Sequence, residues 1–406
     1  MLTRPEHLST VFKDSDRHIK AVNNNSGYLL GQILGQCVGL ISQDRWKAVR
    51  NVTEKPFVRK TAASYLPIIE RRTKRHFQEF EAGKTFAEGT IDPALDLKLL
   101  PFWVVAEIVY GELSPEMEDK LRTLAPEREA LFKHVIQGGL ARFAWSRYLP
   151  TEANRALASF QKKWLAFNRY ARDRAIEVKS YAPITQMYES VEAGELDEQQ
   201  LLHTLDEMLY ANLDVTLGGI SWNLVFLAAY KDQQDRLRTE VAEKREASEA
   251  STAIMDQYIL SSSSFLAACV SESSRLRPLA AFSVPQAIPT DRVVGDYYFP
   301  AGTHFVVDSY ALNIRNPYWG PDRTTYRPAR FFELKATESR YNFWRFGFGP
   351  RQCIGKYVAD IIIRMLLIHL MENYELGMVK TGEDWARDRD SWINHPQMTL
   401  RCEKRV

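Results

Sequence analysis

Residues 346–355 read Phe-Gly-Phe-Gly-Pro-Arg-Gln-Cys-Ile-Gly, a glycine-rich stretch with a single cysteine, Cys353. The apolar residues that follow, 356–374, predict a helix, so Cys353 lies where that helix begins. A thiolate at a helix N-terminus is stabilised by the helix dipole and by unpaired backbone N–H groups. The glycines allow the backbone to pass close to a flat and bulky group. The stretch therefore predicts a thiolate that faces such a group.

A haem whose iron takes a thiolate ligand requires both of these features. Cys353 is therefore the candidate metal ligand, and haem b is the candidate cofactor. The other three cysteines, Cys37, Cys269 and Cys402, are predicted to be buried structural residues. Because the four cysteines show no C-x-x-C spacing, reduced thiols in a cytosolic compartment are expected.

The composition is that of a soluble globular protein. The chain has 406 residues, of which 45% are hydrophobic and 12% aromatic, so it can bury a large core and line a large apolar pocket. A net charge of +2 argues against nucleic acid as the main partner. The sequence contains neither a signal peptide nor about 20 consecutive apolar residues.

Hydrophobic periodicity predicts a mainly α fold with a small β region, in one domain that covers residues 1–406. The longest helical segment is 197–230, whereas the serine-rich stretch 251–264 predicts a loop. Period-two alternation with Gly and Pro turns predicts short strands within 292–307. A proline-rich and aromatic meander, 313–331, precedes the cysteine turn.

Four further motifs stand in a fixed order around Cys353. They are Trp46-Lys-Ala-Val-Arg50 on an early helix, Ala211-Asn-Leu-Asp214-Val-Thr216 in the long apolar helix, Glu272-Ser-Ser-Arg275 on a later helix, and Tyr326-Arg-Pro-Ala-Arg330-Phe331 in the meander. Together with Phe346, Gly349, Arg351, Cys353 and Gly355, which complete an F-x-x-G-x-R-x-C-x-G pattern, this order resembles cytochrome P450, most closely the eukaryotic members. E-x-x-R alone is a weak signal, whereas the ordered set is a strong one.

The resemblance implies roles for the residues around the haem. Cys353 would be the proximal iron ligand, whose electron donation favours cleavage of the O–O bond. Arg351, Trp46 and Arg50 would donate hydrogen bonds to the haem propionates. Phe346 would pack near the sulfur, and Gly349 belongs to the same pattern.

Glu272, Arg275 and Arg330 are predicted to form a buried ion network that fixes the meander. Glu272 and Arg275 are one helical turn apart and so share a helix face. Removing one partner would leave a buried charge unpaired, which costs several kcal/mol. We therefore expect loss of haem when either residue of the E-x-x-R pair is changed.

Asp214 and Thr216 are the candidate catalytic residues on the long helix. The family usually places Gly where Asn212 stands and Thr where Val215 stands, so the motif is altered. Asp214 is expected to relay protons, with the alternative that it only bonds a neighbouring element. Thr216 could supply the hydroxyl group if the helix bulges locally. The altered motif leaves room for chemistry other than simple hydroxylation.

The substrate pocket can be placed only by position in the chain. Its candidate residues are 23–39, Tyr210, Leu213, Leu217, 279–284 and 394–398. Because these stretches are mostly apolar, an apolar small-molecule substrate is expected. Six basic residues, Arg45, Lys47, Lys55, Lys60, Arg345 and Lys356, could attract an acidic flavoprotein reductase to the thiolate side.

The resemblance implies a monooxygenase that uses dioxygen and NADPH-derived electrons, delivered by a cytochrome P450 reductase-type flavoprotein, in secondary metabolism of a fungal kind. Two alternatives remain open: a reductase-independent haem-thiolate isomerase or dehydratase, and a haem-binding protein without turnover. The expected location is the cytoplasmic side, at most peripheral to the endoplasmic reticulum.

The beginning of the chain differs from the family pattern. Family members place a membrane anchor, a first helix and opening strands before the W-x-x-x-R helix, which begins here by residue 46. Residues 2–12 resemble the segment that precedes the pocket-capping loop. We therefore expect a shortened N-terminus, an unpaired strand edge and a lower melting temperature than that of a version with the segment restored.

Overall fold

The computed structural model describes residues 1–21, 27–249, 251–379, 385 and 393–405. Helices dominate this part of the chain. Their bounds are Pro5–Val11 (α1), Gly27–Leu34 (α2), Gln43–Thr53 (α3), Arg59–Ala63 (α4), Leu66–Glu81 (α5), Lys84–Ala87 (α6), Pro93–Asp96 (α7), Leu99–Tyr110 (α8), Pro115–Gln137 (α9), Glu152–Glu177 (α10), Pro183–Glu192 (α11), Glu198–Tyr210 (α12), Val215–Ala229 (α13), Lys231–Ser248 (α14), Ala253–Leu260 (α15), Phe265–Leu276 (α16), Arg330–Glu333 (α17), Ala336–Ser339 (α18) and Lys356–Asn373 (α19).

The strands are short and form three small antiparallel sheets in the described residues. Their bounds are Ile19–Lys20 (β1), Thr90–Ile91 (β2), Gln286–Ala287 (β3), Arg292–Val294 (β4), Tyr297–Phe299 (β5), His304–Phe305 (β6), Tyr374–Met378 (β7) and Leu400–Lys404 (β8). The sheet orders are β1-β3-β6, β2-β8-β7 and β4-β5. The register pairs Ile19 with Ala287 and Leu376 with Cys402. The predicted mainly α fold with a small β region is confirmed.

Helix α13 runs through the core. Its residues are buried almost throughout, and it packs against α16, α19 and β7. A helix that is apolar on all sides must be covered on all sides. Helix α19 is also largely buried and follows the cysteine turn, so the turn is attached to the core. These two helices position the candidate site.

Two local predictions were wrong. The single helix expected over 197–230 is interrupted by a 3₁₀ turn, Ala211–Leu213, which separates α12 from α13. The loop expected over 251–264 contains α15, because Met255, Tyr258 and Ile259 bury one helix face. Only its end is irregular, where Ser264 caps the N-terminus of α16 by accepting from the Ala267 N–H.

By length and composition alone, one stretch of the described residues could cross a membrane, Ala253–Leu276. Half of it is buried in the structure, and buried core helices meet the same criterion. A second candidate, Glu198–Ala229 with Lys231–Ser248, exists only if two helices bent by 108° are counted as one span.

Candidate active site

The cysteine turn is shaped by its backbone. The N–H of Cys353 donates to the carbonyl of Phe346 over 2.8 Å, which closes the turn. Gly347 and Gly349 adopt φ values of 79° and 70°, a conformation that favours glycine. A side chain at residue 349 would also overlap Ser15. The glycines therefore serve the turn itself and its contact with the N-terminal segment.

The Cys353 side chain is accessible although protein surrounds it closely, as expected for a residue that lines an internal recess. Burial is the largest influence on its pKa, which it raises, and the Glu207 carboxylate acts in the same direction. The Gly355 N–H and the charges of Arg50 and Lys356 act to lower it, but the net pKa is raised. The protein alone thus keeps this thiol protonated, whereas a bound metal ion would ionise it.

Arg351 has hydrogen-bonding capacity that the described residues do not use. Its Nη2 donates to the Ile41 carbonyl over 2.6 Å, while Nε and Nη1 are buried with no partner in the described part of the chain. Its guanidinium lies 4.6 Å from the Trp46 ring centroid. Burial and the nearby Arg50 lower the Arg351 pKa to about 10. A buried cation with two unused donors and a cationic neighbour calls for an anion.

Two further cations border this position. Arg50 donates to the Gln352 carbonyl over 3.1 Å and pairs with Glu54. Lys20 is enclosed by protein, and burial together with the charge of Arg351 lowers its pKa to about 8. The site can therefore accept more than one negative charge. Lys20 was missed in the sequence because a lysine at the end of a two-residue strand carries no motif.

The E-x-x-R pair forms a fully buried network with the meander. Arg275 donates to both carboxylate oxygens of Glu272 over 2.7 and 2.8 Å, and Arg330 Nε donates to the same carboxylate over 2.9 Å. All three side chains are buried. The Arg327 backbone N–H adds a further bond to Glu272 over 3.0 Å. The structure thus brings together the three residues predicted to form an ion network.

The network continues to the cysteine turn through Asn313. Arg275 donates to the Asn313 carbonyl over 2.8 Å. The Asn313 side chain in turn exchanges two hydrogen bonds, of 2.7 and 2.8 Å, with the backbone of Trp344. Trp344 packs against Phe348 inside the turn. Hydrogen bonds from Arg275 through Asn313 to Trp344, followed by the ring contact between Trp344 and Phe348, therefore link the E-x-x-R helix to the Cys353 turn.

The break between α12 and α13 brings Asn212 and Thr216 together. The Thr216 hydroxyl donates to Asn212 Oδ1 over 2.7 Å across the break. Asn212 also donates to the Met208 carbonyl, so it holds the broken turn. Val215 is exposed and Asp214 is partly exposed, whereas Thr216 is buried. Thr216 thus contacts the asparagine that stands at the usual glycine position.

Asp214 lies beside His395, which comes from the C-terminal tail. The distance from Asp214 Oδ1 to His395 Nε2 is 3.9 Å. The tail is held there because the Trp222 indole donates to the Asn394 carbonyl over 2.6 Å. The Asn394 N–H donates to the Leu279 carbonyl over 2.9 Å. Sequence reasoning placed this tail near the pocket but gave His395 no role.

The structure locates the other predicted residues. The Phe346 ring packs against the Arg345 guanidinium, 4.5 Å from its centroid, and its packing near the sulfur stays a prediction. Tyr210, Leu213 and Leu217 belong to the hydrophobic core instead of an accessible pocket wall. Of the predicted pocket segment 23–39, residues 23–26 lie outside the described residues, as does Val406 of the predicted domain.

Comparison with known proteins decides the family. The Cytochrome P450 family model matches residues 1–400. The cytochrome P450 monooxygenase aclC of Aspergillus oryzae is 55% identical over 409 residues, which cover 100% of this chain and 82% of that relative. The monooxygenase asaD of Aspergillus flavus is 50% identical, with 100% and 78% covered, and gliC of Aspergillus fumigatus is 40% identical, with 99% and 80% covered. The chain belongs to the cytochrome P450 family.

This P450 is therefore a monooxygenase with a P450-type fold, and its cofactor is haem with iron and a cysteine thiolate as axial ligand. Members of the family use a redox partner and act on small molecules. The residues described above fit the haem on two counts. Cys353 offers an accessible thiol whose ionisation needs a metal ion, and Arg351 offers two buried donors for a carboxylate.

Proposed function

We propose that this P450 oxidises an apolar small molecule in fungal secondary metabolism. Two electrons would come from NADPH through a cytochrome P450 reductase-type flavoprotein. The haem iron would supply oxygen activation, and the Cys353 thiolate would be its proximal ligand. The assignment rests on one combination of features: Cys353 lies in its hydrogen-bonded turn, and Arg351, two residues earlier, has two buried donors without a partner in the described residues. Support for secondary metabolism comes only from similarity to fungal P450 monooxygenases.

The haem-binding residues divide by the part of the cofactor they would hold. Cys353 would bind the iron, in a turn that depends on Gly349. Arg351 would hold a propionate, with Arg50 adding positive charge and Trp46 supporting the guanidinium from one side. Lys20 would add a third cation to the same side. Glu272, Arg275 and Arg330 would keep the turn in place through Asn313.

Asp214 would hold and transfer the protons that oxygen reduction consumes. Asp214 stands at the N-terminal end of α13, where it is partly exposed and its carboxylate lies 3.9 Å from the His395 ring. Thr216 would act indirectly, because its hydroxyl donates to Asn212 and so fixes the helix break that presents Asp214. Both roles are compatible with the altered motif.

We propose that residues 1–406 form one domain. The support is that helices far apart in the chain, among them α2, α13 and α19, and strand β8 contribute to one hydrophobic cluster. We also propose that the reductase docks near Lys55 and Lys60, which are exposed on segments that pack against α19. Arg345 is a weaker contributor than expected, because it pairs with Asp360 over 2.5 Å.

A location on the cytoplasmic side, with peripheral contact to the endoplasmic reticulum, is part of the same proposal. Exposed apolar side chains between residues 136 and 148 support such a contact, namely Ile136, Leu140, Phe143, Trp145 and Tyr148. Large apolar side chains that cluster on a surface mark interaction sites. Flotation of the purified protein with neutral lipid vesicles would test this part separately.

The test of the function begins with the absorption spectrum of the reduced carbon monoxide complex. A strongly red-shifted Soret band is expected, and Cys353→Ser should abolish it. Cys402→Ser, a buried cysteine in β8, is the matched control and should keep the band. Retention of the band in Cys353→Ser would overturn the assignment of the ligand.

Electron supply separates the monooxygenase from its two alternatives. Product that requires NADPH and reductase supports the proposal. Turnover of a lipid hydroperoxide without reductase would instead indicate an isomerase or dehydratase. A haem-loaded protein that shows no spin shift with any ligand of a broad panel would indicate a binding protein without turnover.

A further inference from the structure

Three side chains of α12 fasten the segment 36–39 by accepting its backbone N–H groups. His203 Nδ1 accepts from Gln36 over 3.0 Å, and Thr204 Oγ1 accepts from Val38 over 3.2 Å. Glu207 Oε2 accepts from Gly39 over 3.0 Å. The segment is a series of turns, and these acceptors satisfy three of its backbone N–H groups. The last of these three acceptors, Glu207, is a carboxylic acid that protein surrounds.

Gly39 and Glu207 fit closely. A side chain at residue 39 would overlap the Glu207 carboxylate, so glycine is needed for the contact. The same carboxylate also accepts from the Cys37 thiol. A thiol is a weak donor, and it can be replaced by a stronger one. Glu207 therefore has one strong bond to the segment and one weak bond that a ligand can displace.

Glu207 lies within electrostatic range of the Cys353 thiol. Protein surrounds the Glu207 carboxylate, yet part of the side chain is accessible. The Cys353 side chain is likewise enclosed by protein and accessible. The charge of Glu207 acts on the thiol of Cys353 and on Arg351. Ala211, in the 3₁₀ turn that follows α12, and Val215, at the start of α13, are exposed although Leu213 and Thr216 are buried. The accessible surface at Glu207 therefore continues across the break between the two helices.

The surrounding charges decide what kind of group the carboxylate can receive. Lys20 lies near Glu207, and Arg351 is a second cation within range. Burial raises the Glu207 pKa although the Gly39 N–H and Lys20 act to lower it. Both cations are assigned to the haem propionates, so they do not neutralise the Glu207 carboxylate in the haem-loaded protein. Because the proposed substrate is apolar, the group that satisfies the carboxylate is a neutral N–H or O–H donor, which brings no further charge into the site.

We propose that Glu207 is a specificity-determining residue, whose carboxylate binds a neutral N–H or O–H donor on an otherwise apolar substrate. The inference rests on the proposed function, because it requires that the recess in front of Cys353 receives the substrate. The donor would replace the Cys37 thiol, while the Gly39 N–H remains bound. Recognition of the substrate and attachment of segment 36–39 would then share one side chain.

The test compares two variants of the haem-loaded protein. Glu207→Gln keeps an oxygen for the Gly39 N–H but removes the charge, whereas Thr204→Val removes a bond to the segment and keeps the carboxylate. The probes are matched apolar pairs, such as 4-phenylphenol with 4-methoxybiphenyl, which differ only in the donor. Spin-shift titrations give the dissociation constants. Imidazole, which needs only the iron, reports access to the site.

A charge-assisted hydrogen bond predicts that wild type prefers the donor-bearing member of a pair by about tenfold or more. Glu207→Gln should bring that ratio close to one, while Thr204→Val should weaken both members together. The inference would be overturned if wild type bound both members of a pair with equal affinity. It would also be overturned if both variants lost the preference for the donor-bearing member to the same extent. The carbon monoxide spectrum of each preparation separates this result from a failure of the haem assignment.

Discussion

The Arg351 guanidinium lies 4.6 Å from the centroid of the Trp46 ring, with the charge of Arg50 nearby. The face of the Trp46 ring stabilises the charged Arg351 side chain, whereas the positive charge of Arg50 destabilises it. Two of the Arg351 donors are buried and unused in the described part of the chain. This relationship joins the W-x-x-x-R helix to the cysteine turn, and it leads to the first prediction.

Arg351→Met should weaken haem retention without unfolding the protein. Charge-assisted hydrogen bonds contribute about 1.5–3 kcal/mol each, so haem should dissociate faster by about one to two orders of magnitude. Transfer of haem to an excess of apomyoglobin measures the rate. Arg169→Met, which removes an exposed pair with Glu198, should leave that rate unchanged. Equal rates for both variants would contradict the role of Arg351.

Glu272→Gln should lower both stability and the yield of haem-loaded protein. Two arginines would keep their charges in the interior with only one neutral acceptor between them, which costs about 3–5 kcal/mol. Thermal unfolding followed by circular dichroism, together with the Soret absorbance per protein, provides the measurement. Lys163→Met breaks a surface pair with Glu127 and should change stability by less than about 1 kcal/mol. A stable Glu272→Gln protein with full haem content would refute the network's role.

Asp214→Asn should slow turnover by about 10²-fold or more, the range expected when a proton-transferring group is lost. Haem content and substrate-induced spin shift should stay the same, because the change keeps the size of the side chain and lies at the partly exposed start of α13 beside His395. Single-turnover rates and their solvent isotope effect are the measurements. Asp232→Asn, at the exposed start of α14, is the control. Normal turnover in Asp214→Asn would exclude the relay.

Thr216→Val should release more hydrogen peroxide for each NADPH consumed. Loss of the hydrogen bond to Asn212 Oδ1 makes the 3₁₀ turn between α12 and α13 more mobile, so the position of the Asp214 carboxylate is less well fixed. Thr216→Ser keeps the hydroxyl group and should restore coupling close to wild type. The ratio of product to NADPH checks the prediction. If serine and valine behave alike, the hydroxyl group has no part in oxygen chemistry.

The stability of the protein should fall as the pH drops from about 6.5 to about 4. Burial lowers the His203 pKa from 6.5 to about 4. Between these values unfolded His203 binds a proton that folded His203 does not, so its contribution to stability rises with pH in this window and is constant above it. A depression of this size corresponds to about 3 kcal/mol.

The His203 contribution can be isolated by His203→Asn, whose amide oxygen can still accept from the Gln36 N–H. Its stability curve should be flatter than that of wild type in this pH window. His369, whose pKa burial also lowers to about 4, has the same sign and remains in the variant. Urea unfolding at several pH values is the measurement. An unchanged slope would mean that protonation of His203 is not linked to folding.

The features that could be predicted from the sequence are those that follow from the types of residues and their order along the chain. The E-x-x-R and P-x-R-F motifs predicted the Glu272 network, because buried charges require partners. The break at 211–213 was not predicted, since periodicity alone favours one continuous helix and Asn212 acts through its side chain. Glu207 was missed for another reason. On a partly polar helix, an acid is usually a surface residue, and only the approach of Gly39 brings it inside.

The attachment of segment 36–39 has a kinetic consequence. Three side-chain acceptors can be released without unravelling any sheet, at a cost of about 1 kcal/mol for each bond. Because Cys37 and Val38 are also buried, release costs more than these bonds alone, and the segment would stand away from α12 for well under about one part in a hundred of the time. Ligands that arrive from solution would usually find the segment attached, and the same hydrogen bonds would slow their release. Residence time, more than encounter rate, should therefore distinguish good substrates from poor ones.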